Sequence, residues 1–110
     1  MILELPWFAA RLLYEAVVQG EQPLYEERIL LVKSSLGIGD ATKRAEKLAK
    51  SGSHRYQNPD GETVSWTFKE LLDVVQLHDP QIQEGSEVYS HFLTAGEVGS
   101  IRESLKSGTL

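Results

Sequence analysis

The sequence predicts an α+β domain: one antiparallel sheet of about five strands, in the order β-β-α-β-β-β, with a single helix packed on one face. Three observations predict it. Residues 7–33 hold two strand-like stretches joined by a short Gly/Pro loop, residues 37–52 hold one helical pattern, and HRYQNPDGETVSW at 54–66 reads as a hairpin. The expected domain is residues 1–94. Residues 95–110 are expected to form a frayed helix or a mobile tail.

WFAARLLYEAVV (7–18) alternates: Phe8, Ala10, Leu12, Tyr14, Ala16 and Val18 make an apolar face, and Trp7, Ala9, Arg11, Leu13, Glu15 and Val17 a mixed one. QGEQP (19–23) is loop punctuation, and LYEERILLVK (24–33) is a second strand. In an antiparallel hairpin, facing residue numbers sum to a constant. Sums of 41 and 42 set Glu15 against Glu26 or Glu27, which is repulsive. A sum of 43 sets Glu15 against Arg28 and Leu13 against Leu30, so that register and a Glu15–Arg28 pair are expected.

GIGDATKRAEKLAKSG (37–52) places Ala41, Ala45, Leu48 and Ala49 on one helical stripe, with Asp40 as the expected N-cap and Gly52 at the C-terminal end. In the hairpin that follows, Pro59–Asp60 suits a type I turn and Gly61 a left-handed bulge residue. If Asn58 faces Glu62, Tyr56 opposes Val64 and His54 opposes Trp66. TFKELLDVVQL (67–77) fits both helix and strand; the strand is preferred, with a bulge near Lys69–Glu70. HDPQIQEG (78–85) reads as a loop, and SEVYSHFLT (86–94) as the last strand.

WFAARLLYE, LYEERILLVK, SHRYQNPDGETVSWTF and GSEVYSHFL, taken in that order over roughly residues 7–94, resemble a group of small bacterial proteins catalogued as domain-of-unknown-function family 4288. The resemblance implies that 67–77 is a strand and that 86–94 belongs to the domain. It carries over no catalytic residue and no ligand.

Composition narrows the function. A chain of 110 residues with 41% hydrophobic and 25% charged content is sized and composed for a self-sufficient core. It has no cysteine, so thiolate metal sites, disulfides and cysteine nucleophiles are excluded, in keeping with a reducing compartment. MILELPWFAARLLY lacks a basic start and is interrupted by Glu4, Pro6 and Arg11, unlike a signal peptide; no apolar run approaches a membrane span. A cytoplasmic protein is expected. The net charge of −5 divides into −2 over residues 1–39, +2 over 40–50 and −5 over 51–110, so nucleic acid is not the expected partner.

Candidate chemistry is sparse. GIGDAT (37–42) lacks the third glycine of a dinucleotide loop, and no turn holds a nucleophilic serine. His54, His78 and His91 show no metal-ligand spacing, and Glu26 and Glu27 point to opposite faces of a strand. No catalytic residue, metal or cofactor is expected, and the reading leans away from an enzyme.

The expected register leaves Trp7, Leu13, Val17, Leu30 and Val32 on the sheet face away from the helix, an apolar area covered by 67–94 or by another chain. The leading expectation is therefore a small acidic interaction module that dimerises or docks a protein partner, in one version an antidote masking a basic nuclease. The first alternative is a ligand-binding protein or enzyme with a pocket near His54, Tyr56, Trp66 and His91. The second is RNA binding through Lys43, Arg44, Lys47 and Lys50 on the helix.

Overall fold

A computed structural model describes residues 6–79 and 81–106. Its elements are β1 (Trp7–Val18), β2 (Leu24–Lys33), α1 (Ile38–Ser51), β3 (His54–Gln57), β4 (Thr63–Gln76) and α2 (Ala95–Lys106). The four strands form one antiparallel sheet in the order β2-β1-β4-β3. The mixed architecture and antiparallel sheet are as expected, but the count is four strands and two helices among the described residues. Residues 86–94 do not join the sheet, and 95–106 are helical; residues 107–110 of the expected tail lie outside the described residues.

The alternation in β1 sorts the sheet into two faces. Phe8, Ala10, Leu12, Tyr14 and Ala16 are buried beneath α1, whose own contribution is the fully buried stripe Ala41, Ala45 and Ala49. Alanines let the helix approach the sheet closely, so Phe8, Leu12 and Tyr14 supply most of the burial, about 1.5–3 kcal/mol each for an aliphatic or phenyl-sized group. Leu48 is off this stripe, at 49% exposure.

Helix α1 starts differently from expectation. Gly37 is the residue before the first turn, at φ 95°, and Asp40 sits inside that turn instead of capping it. Asp40 accepts a hydrogen bond at 2.7 Å from the buried Ser34 hydroxyl, which in turn accepts from the Leu36 N–H. At the other end, the Tyr14 hydroxyl donates to the Ala49 carbonyl and ties β1 to the last turn of α1.

The β3–β4 hairpin has the expected register, with His54 opposite Trp66 and Tyr56 opposite Val64. Asn58 fixes it. Its backbone N–H donates to the Glu62 carbonyl, its side-chain oxygen accepts from the N–H groups of Asp60 and Glu62, and Gly61 supplies φ 79°.

Strand β4 carries two one-residue irregularities against β1. Phe68 faces Tyr14 but Glu70 faces Leu13, and Leu71 faces Leu12 but Asp73 faces Arg11. Lys69 and Leu72 are the extra residues, so the bulge expected near Lys69–Glu70 is present with a second one beyond it. The residues facing α1 thus run 64, 66, 68, 71, 74. The two steps of three are why this strand looks partly helical by periodicity.

The β1–β2 register departs from expectation. Facing residues sum to 40, with Glu15 opposite Tyr25 and Leu12 opposite Arg28. An even sum puts even-numbered residues of both strands on the helix side. Val32 is therefore buried and Leu30 half-buried beneath α1, not on the opposite face.

Candidate interaction surface

The sheet face away from α1 is built from odd-numbered residues of β1 and β2 and their partners on β4. Its centre is charged. Arg11 on β1 donates from Nε and Nη2 to both carboxylate oxygens of Glu27 on β2, at 2.7 and 2.9 Å. The pair is diagonal, because the residue directly opposite Arg11 is Ile29. On the other flank Asp73 of β4 accepts a 2.9 Å hydrogen bond from the Tyr89 hydroxyl. Tyr89 belongs to the irregular segment after β4, so Asp73 pins that segment across the face. The Tyr89 ring in turn packs against His91, at 5.3 Å between centroids.

Two concavities result. A hollow of about 150 Å³ lies where residues 87–90 cross Val75–His78. A wider, open cleft of about 780 Å³ separates Arg11 and Glu27 from His91, Leu93 and the first turns of α2. Helix α2 begins with a reciprocal cap: the Thr94 N–H donates to Glu97, and the Glu97 N–H donates to the Thr94 hydroxyl.

Hydrogen bonding to Glu27 raises the Arg11 pKa, and the same bond lowers that of Glu27. Burial, then the Asp73 hydrogen bond, push the Tyr89 phenol up; the Thr94 backbone N–H holds Glu97 down; and a hydrogen bond to Glu15 raises Tyr25. Each of these shifts moves a group away from neutrality. Among the described residues no group of three or more His, Cys, Asp or Glu is placed to hold a metal, and no helix is long and apolar enough to cross a membrane.

The residues singled out in the sequence are distributed as follows. Trp7, Leu13 and Val17 share the open face with Ile29 and Leu31, whereas Leu30 and Val32 lie under α1. His54, Tyr56 and Trp66 come together on the helix side, with the His54 and Tyr56 rings stacked at 5.7 Å. His91 is across the sheet from them, beside Glu27. Lys43, Arg44, Lys47 and Lys50 are all exposed on α1. Glu15 and Arg28 do not meet. Glu15 lies 3.9 Å from Lys69, while Arg28 pairs with Glu26 on its own strand and lays its guanidinium 3.9 Å from the centre of the Tyr14 ring and 5.3 Å from that of Trp66.

Arg11, Glu27, Asp73 and Tyr89 escaped the sequence reading as a group, because their meeting depends on the 40-sum register and on a segment outside the sheet. The start of α2 did carry a signal, T-A-G-E at 94–97, which has the spacing of a capping box.

The C-terminal segment leaves most of its apolar side chains exposed, with Val98 alone in α2 half-buried. Phe92 is wholly exposed, Leu93, Ile101 and Leu105 are exposed, and α2 has no buried residue. The Cα radius of gyration, 17.1 Å, exceeds the roughly 13 Å of a compact chain this long.

A family model described as a domain of unknown function (DUF4288) matches residues 7–90. No curated protein and no solved structure matches the chain.

Proposed function

The chain belongs to the DUF4288 family of domains of unknown function, and from that premise we propose that it is a non-enzymatic protein-interaction module whose contact element is the C-terminal arm, residues 86–106. One observation carries the reading: α2 is a formed helix with no fully buried side chain, Val98 alone being half-buried. Isolated helices of about 12 residues are marginal in water even when rich in alanine, and α2 contains Gly96 and Gly99. Its helical state is sustained by contact, and the exposed side chains of Phe92, Leu93, Ile101 and Leu105 are the apolar groups available to make one. The Arg11–Glu27 and Asp73–Tyr89 bonds then serve as the anchor that presents the arm.

The test is a tagged pull-down and a size measurement with the full chain, comparing wild type with Ile101→Glu. A partner, either another protein or the chain itself, is expected with wild type and lost with the variant. Retention of the same partner by Ile101→Glu rejects the arm as the contact element, and a chain that stays monomeric and captures nothing rejects the module.

A further inference from the structure

We propose that β2 is a second contact surface, separate from the arm, and that its outer edge pairs antiparallel with β2 of another copy. Two four-stranded sheets then become one continuous sheet. In the order β2-β1-β4-β3, β2 is an end strand. It is 10 residues long, holds no proline and pairs with β1 without a bulge, so its outer edge is regular along its whole length.

Backbone hydrogen bonds tell which groups of that edge are free. The Ser34 N–H donates to the Pro6 carbonyl at 3.2 Å, in the same 40-sum register, and the Leu77 N–H donates to the Trp7 carbonyl on the other side of β1 at 2.8 Å. Bonded pairs alternate along an antiparallel ladder. Even-numbered residues of β2 are therefore bonded to β1, while Tyr25, Glu27, Ile29, Leu31 and Lys33 turn their N–H and C=O groups outward. Only odd residues bond across the edge, so facing numbers in a β2–β2 pair have an even sum. An even sum also keeps the two helix-side faces on one side.

The side chains choose among the even sums. Sums of 52, 54 and 56 set Glu26, Glu27 or Arg28 on the two-fold axis against its own equivalent, which is repulsive. A sum of 60 is selected by the exposed ends. Leu24 and Leu36 are the most exposed leucines among the described residues, at 66% and 79%. That sum brings Leu24 of each copy to Leu36 of the other, just past the end of the strand. Between them Leu30 faces Leu30, Ile29 faces Leu31 and Glu27 faces Lys33. Lys33 lies over the Trp7 ring and has no carboxylate partner among the described residues. Glu27 is already neutralised by Arg11, so it brings no bare charge to the edge. A second copy is the occupant because the exposed groups of β2 find their counterparts on β2 itself.

Sedimentation velocity over a concentration series, with single cysteines placed in the cysteine-free chain, tests the pairing. The expected species has twice the 12.3 kDa mass of the chain. Ile29→Lys is expected to convert it to monomer with the thermal transition of the sheet unchanged. Ile29→Pro is expected to do the same, because the N–H it removes points outward and the ladder to β1 is kept. Leu30→Cys, on the axis, is expected to oxidise to a covalent dimer roughly tenfold faster than Ile29→Cys or Glu27→Cys. A monomer at every concentration overturns the proposal, and so does a dimer that Ile29→Lys leaves intact. Faster linkage at Ile29→Cys or Glu27→Cys overturns the alignment. A β2 dimer persists in Ile101→Glu, so the arm's own partner is read in the Ile29→Lys background, and failure of either surface is seen apart from the other.

Discussion

The Tyr14 hydroxyl sits directly over Gly52, so closely that a Cβ at that glycine would lie 2.6 Å from the phenolic oxygen. Tyr14 needs that gap to reach the Ala49 carbonyl, to which it donates at 2.5 Å. Gly52 is thus required for space, not for an unusual backbone angle, since its φ of −81° is open to any residue.

Replacement of Gly52 by Ala is expected to destabilise the fold by about 1–3 kcal/mol through overpacking. Tyr14→Phe removes one buried hydrogen bond, worth about 1 kcal/mol. The effects are expected to be non-additive: without the phenolic oxygen the nearest atoms to a new methyl are 3.2 Å away, so Gly52→Ala costs less in a chain that already carries Tyr14→Phe. Chemical denaturation of the four proteins in the cycle measures this.

In β4, deletion of Lys69 is expected to be milder than deletion of its neighbour Thr67. Lys69 is an extra residue, so without it Phe68 still faces Tyr14 and Glu70 still faces Leu13, and every side chain keeps its side of the sheet. Removing Thr67 shifts the register by one and turns Phe68 away from α1. Thermal melts should show a loss within about 1 kcal/mol for the first and several times that for the second.

The hairpins show what a sequence can state about register. In 54–66 the N-P-D-G turn and the Asn58 side chain fix one pairing, and the reading from residues alone matches it. The five-residue connection Gln19–Pro23 contains no such device, so the expected β1–β2 register rests on charges placed directly opposite one another. The ion pairs form otherwise: Arg11 reaches diagonally to Glu27, and Arg28 bonds along its own strand and stacks over Tyr14. Long flexible side chains do not need to face each other to pair, so charge is a poor ruler of register. The segment 86–94 misleads for another reason. Tyr89 is held by Asp73 across the face, an attachment that strand periodicity does not record.

Glu27 should contribute to acid sensitivity within the sheet, as Glu97 does at the start of α2. The folded pKa of Glu27 is depressed by Arg11, so its contribution is present above the ordinary carboxylate value of 4.5 and is lost as pH falls through the depressed value. With the Glu27 side chain 44% exposed, the pair is worth only about 0.2–1 kcal/mol. Glu27→Gln should be less stable than wild type by that amount at neutral pH. The two stability curves should converge below the carboxylate range.

Tyr89→Phe should release the arm without unfolding the sheet. Loss of the bond to Asp73, about 1 kcal/mol, corresponds to roughly fivefold faster amide exchange in residues 81–94, with the sheet amides unaffected. The native phenol is raised above its ordinary 10.0, which favours its neutral form in the folded state. Its contribution is full below that pH and fades as pH climbs through the raised value. Alkaline exchange of wild type should therefore approach that of Tyr89→Phe.

The strand order β2-β1-β4-β3 also has a temporal side. β1 is the first strand synthesised, yet it lies in the interior of the sheet, and its second neighbour pairs Val18 with Val64 and Phe8 with Gln76. Contacts between such distant parts of a chain close slowly, in the millisecond-to-second regime typical of non-local topologies. On the ribosome, the β1–β2 hairpin is complete long before β4 has left the exit tunnel. For that interval the β1 edge that β4 will take up is unpaired beside an apolar face. The nascent hairpin is the form of this protein most exposed to chaperones and to aggregation.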